Sequence, residues 1–241
     1  GMENLSLIPG NMGAAPIQNI GAYGVELADL FVSLRAVEIA TGKLCVFDKA
    51  ACQFGYRDSL FKNAARDQYI ILDITLRLGT SPAVNISYPA LKTAVAEAGL
   101  ENNLTPQAVS ELVCQIRQQK LPDPAITPNA GSFFKNPVIA DSAVTELHNR
   151  YPQMPTYSLP RQQSKIPAAW LIDQCGFKGA RRGSLGVHQH QALVLVNHLG
   201  EGSGSGEQLL ALADEICAAV WQRFSIRLEI EPRVYGLSEG R

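Results

Sequence analysis

The chain has 241 residues and a formal net charge of −1, with 21 basic residues against 22 acidic ones. Hydrophobic residues make up 46% and charged residues 18%, which is typical of a globular protein and argues against general disorder. The near-neutral charge argues against a nucleic-acid partner, because nucleic-acid-binding surfaces concentrate Lys and Arg. Since the sequence shows no secretory signal pattern and no apolar run long enough to span a bilayer, we expect a cytoplasmic protein without a membrane partner.

The cysteines and histidines do not form a metal-ligand pattern. The five cysteines are scattered without a CxxC pair, which fits a reducing compartment, and we expect all five to be small buried side chains. His188 and His190 have the spacing of one strand face, but two ligands without a Cys or carboxylate cluster do not make a metal site. We therefore expect no metal.

The first half of the chain predicts a glycine-rich loop, three strands and three helices. Residues 8–24 are rich in Gly and Ala, which indicates close backbone packing. Alternating apolar positions predict strands at 31–40, 44–46 and 69–78, with Thr41-Gly42 as a turn. A short helix is expected after Asp48 as N-cap, one helix ends at Gly99, and another begins at Thr105-Pro106.

The Pro-rich segment 121–131 predicts a boundary between two domains, 1–120 and 121–241. Beyond it we expect an extended segment at 131–139, a short helix at 141–150 and a long irregular loop at 151–167. A helix closed by Gly176, a strand at 190–198, a helix at 208–224 and a C-terminal strand follow. This irregular mixture of hairpins and helices favours an α+β fold over a doubly wound sheet.

Several polar residues have no evident local structural role. Arg57 lies in Tyr56-Arg57-Asp58-Ser59, Ser132 follows Gly131, and Glu229 and Glu231 share a strand face. Simple structural roles remain open for each: Arg57 as the partner of a surface acid, Ser132 as a turn residue, and the glutamates as a solvated face. A hydrolase is disfavoured, because GSFFK does not match the G-x-S-x-G nucleophile motif.

Taken together, six stretches resemble the UDP-N-acetylenolpyruvoylglucosamine reductase family over nearly the whole chain. They are IPGNMGAAPIQNIGAYG, FGYRDSLFK, AGSFFKNP, AAWLIDQCGFKG, VHQHQALVLVN and LEIEPRVYG, in the family's order. The region with Tyr88 and the loop with Tyr157 resemble the longer subtype. The resemblance implies the remainder of an FAD-binding domain of the PCMH/VAO-like kind, followed by an α+β substrate-binding domain.

The resemblance also implies a two-stage reaction in peptidoglycan synthesis. NADPH reduces FAD, and a hydride then passes to the enolpyruvyl ether of UDP-N-acetylglucosamine, giving UDP-N-acetylmuramate. In the family, the residue matching Arg57 holds the substrate carboxylate and the developing enolate, and the residue matching Ser132 donates a proton. The resemblance implies that Glu231 polarises the substrate carboxylate or takes part in proton transfer. The implied UDP-sugar contacts are Tyr88, Lys120, Asn136, Tyr157, Lys165 and Gln191. The implied FAD contacts are Gly10, Gly13, Gln18, Asn19, Gly21 and Tyr23.

The sequence departs from the family in two places. Pro232 replaces the usual valine and removes a strand donor, so Glu229 is the fallback for Glu231. The family's GEGSN-like phosphate loop would precede the start of this sequence, so we expect weak FAD binding, or none, by this chain alone. An apolar face around 8–24 is then expected to cause self-association. Two alternatives to an active enzyme stay open: a non-catalytic homologue that binds a UDP-sugar, and a degenerate product.

Overall fold

The computed structural model describes residues 1–80, 84–200 and 202–236, and it combines helices with antiparallel strand pairs in an α+β fold. The chain divides into two compact units, Gly1–Arg117 and Gln118–Arg241, whereas the sequence placed its boundary after Lys120. The assignment of the two parts to cofactor and substrate stays a prediction. None of the helices in these described ranges has the length and apolar character needed to cross a membrane.

The first unit is built around a three-stranded antiparallel sheet, in the order β4-β3-β5. Its strands are β3 (Phe31–Glu38), β4 (Leu44–Asp48) and β5 (Tyr69–Leu76), as the alternating pattern predicted. Leu34 and Ala36 of β3 are buried while Arg35 between them is exposed, so one sheet face covers the core. A small hairpin precedes this sheet and consists of β1 (Gly21–Ala22) and β2 (Val25–Glu26).

The helix predicted after Asp48 is a turn. Ala51 N donates to Asp48 Oδ1 at 2.7 Å and Cys52 N donates to the Asp48 carbonyl at 3.1 Å. Asp48 therefore caps a single turn that does not continue into a helix.

The described part of the first unit also has three α-helices: α1 (Leu27–Leu30), α2 (Pro89–Glu97) and α3 (Pro106–Lys120), whose last turn contains the division between the units. The predicted end of α2 at Gly99 and the predicted start of α3 at Thr105-Pro106 are confirmed. Gly99 adopts φ 65° after α2, and Ala108 N donates to Thr105 Oγ1 at 3.1 Å at the start of α3. The two helices bury their apolar faces in a cluster of their own, separate from the cluster beneath the sheet.

The second unit contains two antiparallel sheets and three helices among its described residues. One sheet has the order β10-β11-β12-β6, with β10 (Arg181–Arg182), β11 (Leu185–Val187), β12 (Val194–Asn197) and β6 (Asn129–Ser132). The other has the order β7-β9-β8, with β7 (Val138–Ala140), β9 (Gln163–Lys165) and β8 (Tyr157–Leu159). The helices are α4 (Asp141–Arg150), α5 (Ala168–Gln174) and α6 (Gly206–Phe224).

Two predictions for the second unit were wrong. Residues 151–167 are not an irregular loop throughout, because β8 and β9 form a hairpin within them. The predicted C-terminal strand is reduced to a single bridge between Phe134 and Ile230. Pro232 lacks an N–H and ends the pairing there, although Leu228 and Ile230 pack against the core.

The expectation that all five cysteines are buried holds only for Cys52. All five are free thiols, and the other four are partly exposed. Among the described residues, no group of three or more His, Cys, Asp or Glu side chains is arranged to hold a metal ion.

Candidate active site

Arg57 lies in a tight turn whose backbone geometry is unfavourable for a residue with a side chain. Gly55 and Asp58 exchange backbone hydrogen bonds of 3.0 and 3.3 Å across the turn, and Arg57 between them adopts φ 53°. This left-handed conformation is uncommon for residues other than Gly, Asn and Asp, so the surrounding structure must hold it. Lys62 Nζ contributes by donating to the Arg57 carbonyl at 3.2 Å.

The guanidinium of Arg57 is directed at the β1–β2 hairpin. Its Nη2 donates to the Gly21 carbonyl at 2.6 Å, and its central carbon lies 5.3 Å from the centroid of the Tyr56 ring. A Cβ added at Gly21 would come within 2.9 Å of Nη1, which is closer than such contacts occur. A side chain at position 21 would therefore displace the end of the Arg57 side chain.

The side chain of Asn19, a predicted FAD contact, forms hydrogen bonds with other groups of the protein. It is 1% exposed, its Nδ2 donates to Glu26 Oε2 at 2.8 Å and to the Gly55 carbonyl at 3.0 Å, and its Oδ1 accepts from Ala28 N at 2.9 Å. These bonds occupy both amide protons and one acceptor site. The structure thus brings Asn19, Gly21 and Arg57 together around one turn.

Tyr23 and Tyr88 also lie together. Tyr23 and Gly24 form the tip of the β1–β2 hairpin with φ 48° and 85°, and the Tyr23 ring meets the Tyr88 ring edge to face at 5.2 Å. Burial raises the pKa of Tyr23, and the nearby charge of Arg117 opposes that rise. A predicted cofactor residue and a predicted substrate residue are therefore neighbours.

Arg117 was not predicted from the sequence. Burial lowers the pKa of its guanidinium, and its inaccessible Nε has no hydrogen-bond partner among the described residues. The signal available in the sequence was its position directly after Ile116 on the apolar side of α3, where a charged residue is unusual.

The remaining predicted FAD contacts offer backbone rather than side-chain groups. Gly10 is exposed, has φ 107°, and a Cβ added there would meet nothing within 4 Å, so the space above it is open. Gly13 lies in a short 3-10 helix, Met12–Ala14, and Gln18 is half-buried. The exposed backbone at Gly10 suits close approach by a flavin nucleotide, so this position fits the group.

In the second unit, Ser132 is the last residue of β6. It pairs with Val194, follows Gly131 at φ 70°, and is exposed. Beyond it, Glu231 N donates to the Phe133 carbonyl and Lys135 N donates to the Glu229 carbonyl, both at 2.9 Å. These backbone hydrogen bonds place the segment with Ser132 and Lys135 next to the segment with both candidate glutamates.

The two glutamates differ in their surroundings. Glu229 forms an ion pair with Lys135, whose side chain is only 14% exposed, while the Glu229 side chain is 68% exposed. Glu231 is half-buried. The charge of the mostly buried Lys135 side chain is therefore compensated by Glu229.

Two predicted substrate contacts flank α5. Asn136 Oδ1 accepts from Ala168 N at 2.9 Å, at the start of that helix. Gln191 Oε1 accepts from Leu193 N at 3.3 Å, and Gln191 lines an open pocket together with Trp170, Asp173 and His190. Both side chains thus have defined positions in the second unit.

Tyr157 and Lys165 are paired directly across the β8–β9 hairpin. Lys165 Nζ lies 6.0 Å from the centroid of the Tyr157 ring, which is 46% exposed. Such a distance allows a weak cation–π contact. Lys120, by contrast, is exposed at the last residue of α3.

Comparisons with known proteins identify the family to which the chain is similar. The family described as UDP-N-acetylenolpyruvoylglucosamine reductase, C-terminal domain, matches residues 123–235. The protein of that name from Amoebophilus asiaticus is 50% identical over 234 residues, which cover 97% of this chain and 68% of the relative. Its counterpart from Pseudomonas putida is 48% identical, with 98% of this chain and 68% of the relative covered.

A solved structure shares the fold. The crystal structure of UDP-N-acetylenolpyruvylglucosamine reductase from Thermus caldophilus gives a TM-score of 0.63 at 22% identity, covering 98% of this chain and 64% of that one. This chain thus spans about two thirds of the length of its relatives. The resemblance read from the six sequence stretches is confirmed: the chain belongs to the UDP-N-acetylenolpyruvoylglucosamine reductase family.

Proposed function

We propose that this chain carries the groups that bind and protonate the substrate in a reductase that converts UDP-N-acetylglucosamine enolpyruvate into UDP-N-acetylmuramate for peptidoglycan synthesis. The observation that carries the proposal is Arg57, kept at φ 53° with its guanidinium bonded to the Gly21 carbonyl. Strained, over-determined residues of this kind concentrate at functional sites. Membership of the reductase family indicates the reaction in which we propose that Arg57 acts.

Arg57 supplies the positive charge that the reaction needs. Adding a hydride to the enolpyruvyl double bond leaves negative charge next to the substrate carboxylate, in effect an enolate. A guanidinium binds a carboxylate in bidentate fashion and stabilises the developing charge without titrating itself. Because the turn and Gly21 hold Arg57 before substrate arrives, little reorganisation is needed during the reaction.

FAD, with NADPH as reductant, supplies the hydride when bound. Gly10 would hold it through exposed backbone and Tyr23 through its ring, while Gly13, Gln18 and Gly21 remain predicted contacts. Asn19 remains a predicted contact, although its side-chain donors are already used within the protein.

Ser132 donates the proton that completes the reduction. Its exposure at the end of β6 leaves the hydroxyl accessible to a ligand. A serine hydroxyl is a very weak acid, so positive charge must stabilise the alkoxide as it forms. Lys135, three residues further along the same segment and already paired with Glu229, is one source of such a charge, and Arg57 is the other.

Glu231 is the better candidate for the catalytic carboxylate. The carboxylate of Glu229 is engaged by Lys135, and removing it would leave that mostly buried amine without its ion-pair partner. Glu231 lies on the same segment, bonded through its backbone to Phe133 next to Ser132. This favours Glu231 over the fallback Glu229.

The UDP-sugar is bound by aromatic and basic side chains. Tyr157 and Lys165 offer a ring face and a cation from one hairpin, suited to a nucleotide and its diphosphate. Lys120 adds a mobile positive charge, Tyr88 a ring, and Asn136 and Gln191 polar groups in defined positions.

The test separates the two half-reactions of the FAD-loaded chain. Ser132→Ala should slow substrate reduction by about 10²–10⁴-fold and leave flavin reduction by NADPH unchanged, because only the first needs the donor. Ser142→Ala, an exposed serine in α4, is the matched control and should change neither. An equal loss of both half-reactions refutes the role of Ser132.

The preliminary measurement is an absorbance spectrum after incubation with FAD and gel filtration. A retained flavin band allows the half-reactions to be measured. A colourless chain that still binds the UDP-sugar by calorimetry supports the alternative, a binding module without turnover.

A further inference from the structure

Glu26 is a charged residue beside Arg57 that neither the motifs nor the family resemblance singled out. It pairs with Gly21 across the β1–β2 hairpin, and Gly21 accepts the hydrogen bond from Arg57 Nη2. The point where a Gly21 Cβ would lie is 2.9 Å from Arg57 Nη1 and 3.0 Å from Glu26 Cγ. The two side chains therefore flank Gly21 closely from two directions.

Asn19 connects Glu26 to the turn that carries Arg57. Its amide nitrogen donates one hydrogen bond to Glu26 Oε2 at 2.8 Å and one to the Gly55 carbonyl at 3.0 Å, where the turn begins. Its oxygen accepts from Ala28 N, which anchors the amide to α1. Asn19 is 1% exposed, so these bonds have no competition from solvent.

We propose that Asn19 and Glu26 are positioning residues for Arg57: Asn19 holds the carboxylate of Glu26 and the start of the turn in one arrangement, and thereby sets where the guanidinium lies. This proposal rests on the proposed function, because it assumes that Arg57 meets the substrate carboxylate. It assigns the Asn19 side chain to the protein framework instead of to the cofactor.

The chain allows an isosteric test of this link. Asn19→Asp keeps the acceptor for Ala28 N and tolerates the left-handed backbone, φ 45° at this position, but it places an oxygen against Glu26 and the Gly55 carbonyl. When Asn19→Asp is combined with Glu26→Gln, the new amide at position 26 can donate to the new carboxylate at position 19, which restores the bond with its direction reversed. Asn103→Asp, at an exposed asparagine, controls for the added charge.

The readout is discrimination between two ligands by calorimetry on the full chain. One is UDP-N-acetylglucosamine enolpyruvate and the other is UDP-N-acetylglucosamine, which lacks the carboxylate that Arg57 would bind. We expect the wild type to prefer the first by about tenfold or more, since a hydrogen bond to a charged group is worth that factor. Arg57→Ala and Asn19→Asp should both abolish the preference, whereas Asn103→Asp should keep it.

Two further comparisons separate positioning from simple damage to the fold. Asn19→Asp with Glu26→Gln should recover at least part of the preference. Adding Asn19→Asp to Arg57→Ala should cause no further loss of affinity for UDP-N-acetylglucosamine enolpyruvate, because the link then has nothing to position. If Arg57→Ala loses the preference and Asn19→Asp keeps it, the positioning role is wrong while the proposed function stands.

A wild type without any preference would instead count against the proposed function. Urea unfolding of the Asn19→Asp, Arg57→Ala and double variants then decides the positioning role alone. If the double variant changes the unfolding equilibrium constant by less than the product of the single changes, the two residues act as a unit. A simple product of the two changes would overturn the proposal.

Discussion

Replacing Gly21 with alanine tests whether the Arg57 guanidinium is held as the structure indicates. Gly21 does not have a positive φ, so alanine is allowed by the backbone and only space is at issue. The new Cβ would lie 2.9 Å from Arg57 Nη1, 3.0 Å from Glu26 Cγ and 3.1 Å from the Val25 carbonyl oxygen. Because the Val25 carbonyl belongs to the paired hairpin, the flexible end of Arg57 must move first.

The expected loss of stability follows from this displacement. A hydrogen bond from a charged donor contributes about 1.5–3 kcal/mol, and the half-buried position of Arg57 favours the lower end of that range. Residual crowding against Glu26 adds to it, since overpacking typically costs about 1–3 kcal/mol. We therefore expect Gly21→Ala to lower the free energy of unfolding by about 2 kcal/mol.

The assay is urea unfolding followed by circular dichroism, with separate transitions fitted for the two units if both appear. Gly55→Ala is the control from the same turn: its Cβ would lie 3.5 Å from Asp58 Cβ, an ordinary contact. Its stability should change by less than about 0.5 kcal/mol. A wild-type midpoint for Gly21→Ala, or an equal loss for Gly55→Ala, would refute the reasoning.

Two predictions concern other parts of the molecule. Ser205→Ala should lower the unfolding free energy by about 1 kcal/mol, because Ser205 caps the start of α6. Ser205 and Gln208 exchange hydrogen bonds of 3.2 and 3.0 Å there in a capping box. An unchanged urea midpoint would contradict this prediction. Burial raises the pKa of Cys52 from 9.0 to about 12, so its thiol should react with Ellman's reagent at pH 8 only as the protein unfolds. Since the raised pKa belongs to the folded state, the stability that it contributes is complete below about pH 9 and falls as the pH rises toward 12. Cys52→Ala should therefore lose less stability than the wild type between pH 8 and pH 10.5 in urea titrations.

The elements that were predicted correctly carry their signal in a short stretch of sequence. In the three strands of the first sheet, apolar and polar positions alternate along each strand. Thr105-Pro106 likewise indicates the start of α3. Gly99 likewise adopts the left-handed conformation that commonly ends a helix. In each case the residues that decide the structure are neighbours in sequence.

The β8–β9 hairpin could not be predicted in this way. Each strand has only three residues, and nearby prolines dominate the local pattern. Its stability depends on pairing with Val138–Ala140 and on a 2.7 Å hydrogen bond from Ser164 to Asp141, a residue 23 positions earlier. Contacts at that separation leave no periodic trace in the sequence.

The candidate site was likewise only partly predictable from the sequence. The resemblance pointed to Arg57 as a catalytic residue and to Gly21 and Asn19 as FAD contacts, without a link between them. That Asn19 bonds to Gly55, and Arg57 to Gly21, depends on contacts across 36 positions, which only the fold provides. Arg117 was missed because a single basic residue on an amphipathic helix is usually read as solvated.

The direct pairing of Tyr157 with Lys165 has a consequence for how this hairpin varies. Both side chains owe their shared face to strand register, which the tip at 160–162 sets, with Arg161 and Gln162 at φ 62° and 55°. One residue inserted at that tip would shift the register and turn the two side chains to opposite faces, although neither had been changed. In this hairpin, the length of the tip therefore matters as much as the identity of the two residues.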